Sequence, residues 1–503
     1  MTPIPLHSRN LRRAPRRRRL LAITAAVSAA LGVLRAPLAM AQTATPQASA
    51  QPSGSSAPQS PAIQAGPISL LFGGFTELAV IYRNRQQAAD VGSNFNTAIP
   101  YPQSPLHDTP EFRMSARQSR LSLLAQGQPY NGAKAEAYFE MDFLGAAPTA
   151  NSNESNSYNL RMRNIYGRFI TDGGFYLLAG QNWSLVTLEK KGMDPRDENV
   201  PLTIDAQYVP GFTWTRNAQV RVVSAIGDAL HIGLSAESPQ AILPSSSQQP
   251  NAPPTSAIVT TPGGSLYSST NNYTLDPAPD VVLKVALDPG FGHYELLGLG
   301  RAFKSVIAKT AENNTVYGGG VGAGMILPLV PKVLTFQASG LVGHGVGRYG
   351  SSQLPDVTLK PDGTLAVLPG YEALVGLSFL PTPDFTLYLY GGREEVKETS
   401  YEAVVGGVTK GFGYGSPLYS NAGCEILNSN TATPPLACVA NTRSISQATG
   451  GFWWKYYQGV LGNLQLGFQL SYTERKIFPG VGGDPSTNIF IGMVSFRYYP
   501  YQK

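Results

Sequence analysis

Beyond its first 41 residues the chain has no run of about 18 apolar residues, so no transmembrane helix is expected. Charge is also scarce. Asp, Glu, Lys and Arg make up 14% of the chain, where a soluble protein carries roughly 25%. Cysteine is limited to Cys424 and Cys438, with no CxxC and no adjacent His, so a redox pair or zinc site is not expected there. No GxxxxGK[ST] pattern occurs. The stretch Gly345-Val346-Gly347-Arg348-Tyr349-Gly350 has the glycine spacing of a dinucleotide loop. It runs into Ser351-Ser352-Gln353-Leu354-Pro355 rather than a helix, so the phosphate-cradling context is missing. The histidines after residue 41, His107, His231, His293 and His344, lack ligand spacing, and His231 and His293 are expected to line a lumen. No cofactor, metal or enzymatic activity is expected.

What is present is glycine, 53 residues, and tyrosine, 25. A membrane protein without apolar helices must be a closed barrel, because lipid offers backbone groups no other partner.

The N-terminus accounts for the basic balance. Arg16-Arg17-Arg18-Arg19 precedes an apolar stretch from Leu20 to about Leu34, then Ala39-Met40-Ala41. This is the pattern of a secretory signal peptide over residues 1–41, with Gln42 the first mature residue. That segment holds eight Arg and no acid, leaving 30 basic and 32 acidic residues, a net charge of −2. Nothing supports nucleic-acid binding. Residues 42–66 are rich in Ala, Gln, Pro, Ser and Thr and uncharged, and are expected to form a disordered periplasmic lead-in. The barrel is expected over 67–503.

Connections between candidate strands alternate in length. Short ones include Asp172-Gly173-Gly174, Gly227-Asp228, Asp288-Pro289-Gly290 and Pro381-Thr382-Pro383. Long ones fall near 83–111, 145–157, 189–211, 238–279, 305–314, 344–369, 398–443 and 475–486. Outer-membrane barrels sort their loops in this way, with tight periplasmic turns and long outward loops. The longest candidate loop region holds Cys424 and Cys438, which an exported chain can pair as a disulfide.

Residues 133–143 show the two-faced pattern most clearly. Lys134, Glu136, Tyr138, Glu140 and Asp142 share one parity; Ala135, Ala137, Phe139 and Met141 share the other. A water-filled lumen set against lipid produces such a strand. About sixteen segments of this kind predict an all-β fold, a transmembrane up-and-down antiparallel β-barrel of about 16 strands. Segment 158–170 fits poorly: Arg161 and Arg163 share the watery parity, but Asn164 and Arg168 do not. A subunit interface or a bulge would accommodate them. Segment 315–327 is unusually dense in glycine, which marks tight packing or a bend. Phe452, Trp453, Trp454, Tyr456, Tyr457, Tyr498 and Tyr499 are expected to supply interface girdles.

Candidate pore-lining residues on the inward parity are Arg120, Lys134, Glu136, Glu140, Asp142, Arg161, Arg163 and Arg221. The Arg residues, on neighbouring strands, could form a basic ladder facing the acids of the third strand. That would set up a transverse field preferring anionic or zwitterionic solutes such as small carboxylates. The other reading is that these charges only pair and hold the wall together.

Several short stretches resemble the DcaP-like porins. They are Phe72-Gly73-Gly74-Phe75, Arg117-Gln118-Ser119-Arg120-Leu121, Glu140-Met141-Asp142-Phe143-Leu144-Gly145, Leu160-Arg161-Met162-Arg163-Asn164-Ile165-Tyr166 and Leu178-Ala179-Gly180-Gln181-Asn182-Trp183. The resemblance covers about 70–225 and is architectural beyond. It implies a trimeric sixteen-stranded porin. Members often carry a periplasmic coiled coil before the barrel; this chain has its Pro/Ala/Gln segment instead. By analogy with sixteen-stranded porins, the third outward loop, 189–211, is expected to fold into the lumen. Its candidate constriction residues are Lys190, Lys191, Asp194, Arg196 and Asp197. The function expected is passive diffusion of small hydrophilic, preferentially anionic, solutes across the bacterial outer membrane. Outer-membrane lipid and a homotrimer are the expected partners. The alternative is a secreted all-β carbohydrate-binding or carbohydrate-active protein.

Overall fold

A computed structural model describes residues 62–130, 132–145, 159–251, 257–262 and 272–500. The segment read as a signal peptide and most of the lead-in lie outside the described residues.

The fold is all-β. Sixteen antiparallel strands close into a barrel, each paired with its neighbours in the chain. They are β1 Ile68–Arg83, β2 Glu111–Ser115 with Arg120–Gly127, β3 Lys134–Gly145 and β4 Asn159–Ile170. Next come β5 Phe175–Trp183, β6 Arg216–Ile226, β7 Leu230–Glu237 and β8 Asp280–Leu287. Then β9 His293–Ile307, β10 Glu312–Val330, β11 Leu334–His344 and β12 Pro369–Thr382. The last four are β13 Phe385–Val396, β14 Thr442–Gly459, β15 Gly462–Ile477 and β16 Ser486–Tyr499. The seam pairs Thr76–Arg83 of β1 with Ile491–Tyr498 of β16.

The outward faces follow the strand period. Leu78, Tyr82, Leu121, Phe139, Val220, Leu283, Leu296, Leu389, Phe468 and Phe496 all point out and are exposed. A continuous apolar belt is what a lipid-facing barrel needs and what a soluble sandwich would bury.

Four expectations change. Ala62–Ala65, assigned to the disordered lead-in, is a strand that pairs back on Ile68–Leu71. The lower half of β1 overhangs β16, and this hairpin covers the edge left unpaired. The connection expected over 305–314 is only 308–311, because β9 and β10 run on past the wall as a long ribbon. Trp453 points inward, not into a girdle, and donates its indole N–H to Leu202 O at 2.6 Å; its neighbour Trp454 is exposed. The lumen is also not simply water-filled. Loop residues Val91, Phe95, Ile99, Ile204, Val209, Phe212, Leu354 and Tyr414 pack on inward-facing Tyr388, Tyr390, Ile445, Ile489, Ile491 and Met493 as one dry core. A second core joins Leu185, Val186, Met193, Val346 and Tyr349 to Tyr176, Leu178, Val223, Val282 and Leu297.

The glycines of β10 belong to this interior. Gly318, Gly320, Gly322 and Gly324 pair with inward positions of β9. A Cβ on Gly324 would lie 2.6 Å from Leu188 Cδ1, and one on Gly320 3.1 Å from Val346 Cγ1. The strand is bare so that loop side chains can pack against its backbone. Cys424 and Cys438 are joined as a disulfide at the long-loop end, where Cys424 packs with Tyr101, Ala440 and Ile477.

Candidate pore constriction

The third outward loop, residues 184–215, lies inside the barrel and is held from nearly every side. Leu185 N donates to Glu237 on β7 (3.1 Å), Glu189 N to Glu295 on β9 (2.9 Å), and Asn199 Nδ2 to Gln337 on β11 (3.0 Å). Leu202 N donates to Tyr390 Oη on β13 (3.2 Å), and Ile204 N to Gln469 on β15 (2.6 Å). In return Lys284 Nζ donates to Thr187 O (2.7 Å). Inward polar side chains of the wall are thus spent satisfying the loop backbone, as a buried loop requires.

One contact reaches across the seam. Ile204 O accepts from Gln118 Nε2 at 2.6 Å and from Arg497 Nη2 at 3.1 Å. Gln118 can do so because β2 is broken between Ser115 and Arg120; there Ser119 Oγ takes the N–H of Glu77 that the ladder leaves free.

Among the described residues, three spaces bear on the passage. Beside the loop, against β1 to β4 and β14 to β16, is a cavity of about 660 Å³. Its charged lining is Arg120, Arg163, Lys190, Arg196, Lys455 and Arg497 against Glu140 and Glu198. Toward the short-turn end is a wider vestibule of about 1200 Å³, bordered by Lys134, Glu136, Arg168, Lys191, Asp194 and Asp197. Toward the long-loop end is a recess of about 290 Å³ between Arg161, Arg216, Arg348 and Trp214.

The candidate residues distribute over these spaces. Arg120, Glu140, Arg163, Lys190 and Arg196 meet in the central cavity; Lys134, Glu136, Lys191, Asp194 and Asp197 border the vestibule; Arg161 lines the outer recess. Arg221 does not line the pore. It is fully buried beneath the start of the loop and donates to Trp183 O and Gln219 Oε1. Both histidines sit at the short-turn end. His231 borders the vestibule, and His293 is buried between Asp288 and Glu295, 2.9 Å from each.

The ladder of arginines opposite a wall of acids is not what forms. Arg161 clasps Asp142 through Nε (2.9 Å) and Nη2 (2.6 Å), and Arg163 reaches both Glu140 and Asp142. These are pairs on adjacent strands, so they largely cancel instead of polarising the lumen. A bulge makes this possible. The β3–β4 register slips between Glu140 and Met141, which face Asn164 and Met162. Arg163 is the extra residue, so Arg161, Arg163, Asn164 and Arg168 all turn inward. Arg168 then pairs with Glu136 and Asp194.

Other cations are less neutralised. Arg497, between the rings of Phe75 and Trp453, has Glu77 at 3.1 Å. Arg196 lies over Tyr138 and reaches Glu136 at 3.4 Å. Lys190 and Lys455 have no carboxylate within ion-pair distance among the described residues. Neither does Arg216, whose guanidinium lies 4.8 Å from the Trp183 ring and 5.0 Å from the Trp214 ring, with Nη1 buried and unbonded. Arg216, Arg497 and Lys455 escaped sequence reading. The signal was there: Trp214-Thr215-Arg216 places a cation two residues from an indole, but the Trp183 contact crosses a 32-residue loop.

The loop also carries buried acids. Glu189 and Glu198 face each other across a β-bridge within it. Burial and the neighbouring Glu198 push the Glu189 carboxyl well above its usual range, and burial raises Glu198. Asp205, bonded by Gln469 Nε2 at 3.0 Å, is pushed up to about 6 by burial.

No known family model and no curated protein matches the chain. Solved structures do. The DcaP outer-membrane channel of Acinetobacter baumannii superposes with a TM-score of 0.59 at 17% identity, over 86% of this chain and 97% of that one. Salmonella typhi OmpF, solved with daunomycin, gives 0.47 at 9% identity over 87% and 99%. An anion-selective porin from Comamonas acidovorans gives 0.46 at 12% over 86% and 99%. The first of these shows that the chain has the DcaP channel's fold.

Proposed function

We propose that the chain is a DcaP-like porin of the bacterial outer membrane, a homotrimer that passes small hydrophilic solutes down their gradient and favours anions. The barrel and the loop held within it support the channel reading. One observation carries the preference for anions: six cationic side chains line the central cavity against two carboxylates. Arg216, without an acid partner, lines the outer recess at the long-loop end. On this reading Arg216 in the recess and Lys190, Arg120 and Arg497 in the central cavity act together on an anion that passes. Fixed charge at a narrow, low-dielectric passage acts over the whole constriction, so selectivity follows its net sign.

Planar-bilayer recording of the purified mature chain tests this. Stepwise conductance is expected, with a reversal potential in a KCl gradient on the anion side. Absence of conductance steps from folded protein would sink the porin reading. The double variant Arg216→Gln, Lys190→Gln is expected to move the reversal potential toward cations with little change in stability. An unmoved potential would remove these residues from the filter.

A further inference from the structure

One polar cluster stands out on the barrel's outer wall. At the long-loop ends of β12, β13 and β14, three cations cluster on a single acid. Glu395 is only 5% exposed at its side chain. Its Oε2 accepts from Arg393 Nη2 (2.7 Å) and Tyr371 Oη (3.2 Å), and its Oε1 from Lys397 Nζ (2.6 Å). Arg443 Nε lies 3.8 Å from the same carboxylate. Arg393 is braced further by Ser446 Oγ at 2.9 Å. The cations stay accessible, at 39% for Arg393, 57% for Lys397 and 49% for Arg443.

This cluster faces away from the pore. Arg393 pairs in register with Ala373 on β12 and Ser446 on β14. It shares its parity on β13 with Leu387 and Leu389, both exposed members of the apolar belt. One row toward the short turns the belt begins, with Val375 on β12 and Tyr472 on β15. The cluster therefore stands at headgroup depth beside the outer leaflet. One buried carboxylate gathers three exposed cations, an excess of two positive charges pointing outward, beside the mutually paired Glu474 and Lys476 of β15.

We propose that Arg393, Lys397 and Arg443 form a binding site for the phosphate of a phosphorylated outer-leaflet glycolipid, with the acyl chains lying along the belt below. The proposal rests on the outer-membrane reading above, because the site needs an anionic lipid in the leaflet at the long-loop end. Planar guanidinium groups and a lysine around one point suit a phosphate monoester, which takes several charge-assisted hydrogen bonds at once. Glu395 is a positioning residue: it orients the cations and lowers their net charge without touching the lipid.

Native mass spectrometry of the full mature chain in detergent, with bisphosphorylated lipid A and its dephosphorylated form as probes, decides the matter. Wild-type protein is expected to retain the bisphosphorylated lipid in preference to the dephosphorylated one. Removing two charges in Lys397→Gln, Arg443→Gln is expected to lower that retention by roughly tenfold or more. Glu395→Gln is expected to keep the preference for the bisphosphorylated lipid, because the net positive charge grows as the tether weakens; loss of that preference would overturn the proposal. Equal retention of the two lipids, or equal retention by the double variant, would overturn the proposal. Conductance and reversal potential of the double variant are expected to match wild type, so failure here is distinguishable from failure of the porin reading.

Discussion

Arg161 and Arg163 illustrate how partners decide what a charge does. Each is held by Glu140 or Asp142, so the group of four is close to neutral at the cavity wall. Changing both arginines to Ala is expected to shift selectivity toward cations, because two carboxylates are left beside the passage. It should also cost about 3–5 kcal/mol, the usual result of orphaning a buried charge. Glu140→Gln is expected to move the reversal potential the other way, toward anions. Bilayer recording of both variants checks the sign, and thermal melting of the detergent-folded barrel checks the cost. Asp205 gives a pH dependence. Its carboxyl is raised by burial to about 6, so the folded chain holds a proton that the unfolded chain releases near pH 4. The stabilisation is complete below pH 4, falls between 4 and 6, and is gone above. Two pH units correspond to about 3 kcal/mol. Asp205→Asn is expected to remove this part of the melting-temperature profile between pH 4 and 7; an unchanged profile would show that Asp205 is not its source.

At the scale of elements, the third loop is seated by what the wall omits as much as by what it offers. Gly324→Val would drive a branched side chain into Leu188 Cδ1, already 2.6 Å from an added Cβ. The strand can remain paired, so the loop must give way. A loss of about 1–3 kcal/mol is expected from overpacking, with larger and noisier single-channel conductance as the loop leaves its seat. The same relation explains what could be read from sequence. Strand β3 was plain because one face meets lipid and the other, Glu136 and Glu140, meets the polar interior. Strand β16 was recognisable by its aromatics, but Ile489, Ile491 and Met493 alternate with Phe490, Val494 and Phe496. Over residues 489–493 both faces are apolar, because the inner one meets a core built by distant loops. Alternation reports the polarity contrast across a wall, and it fades where loops make the inside as apolar as the outside. The phase of β4 was hidden for a different reason. A bulge at Arg163 turns two successive residues inward, and only pairing with β3 reveals which residue is extra.

At the scale of the whole molecule, the loop order and sixteen-strand closure were legible, whereas the pairing partners of the pore charges were not. Alternating connection lengths depend on topology and survive errors of a few residues. Ion pairs depend on side chains hundreds of positions apart in the sequence, such as Arg497 on β16 with Glu77 on β1. That pair lies at the seam, where Ser495 Oγ also donates to Glu77 at 2.5 Å. Glu77→Gln is expected to leave Arg497 poorly compensated in a buried site and to destabilise by about 3 kcal/mol or more. The effect should appear as a lower temperature for loss of the compact, heat-modifiable band in electrophoresis.

The carbonyl of Ile204 bonded to both Gln118 and Arg497 has a bearing on the order of events during biogenesis. It belongs to a loop rooted between β5 and β6, yet it fastens β2 to β16 from within. A 32-residue segment with Trp183, Phe212 and Trp214 at its roots cannot be threaded through a finished cylinder past side chains that already occupy the bore. We expect the loop to be laid into the growing sheet while the first and last strands are still apart. Closure then happens around it, and the last stave to arrive finds its fastening already waiting.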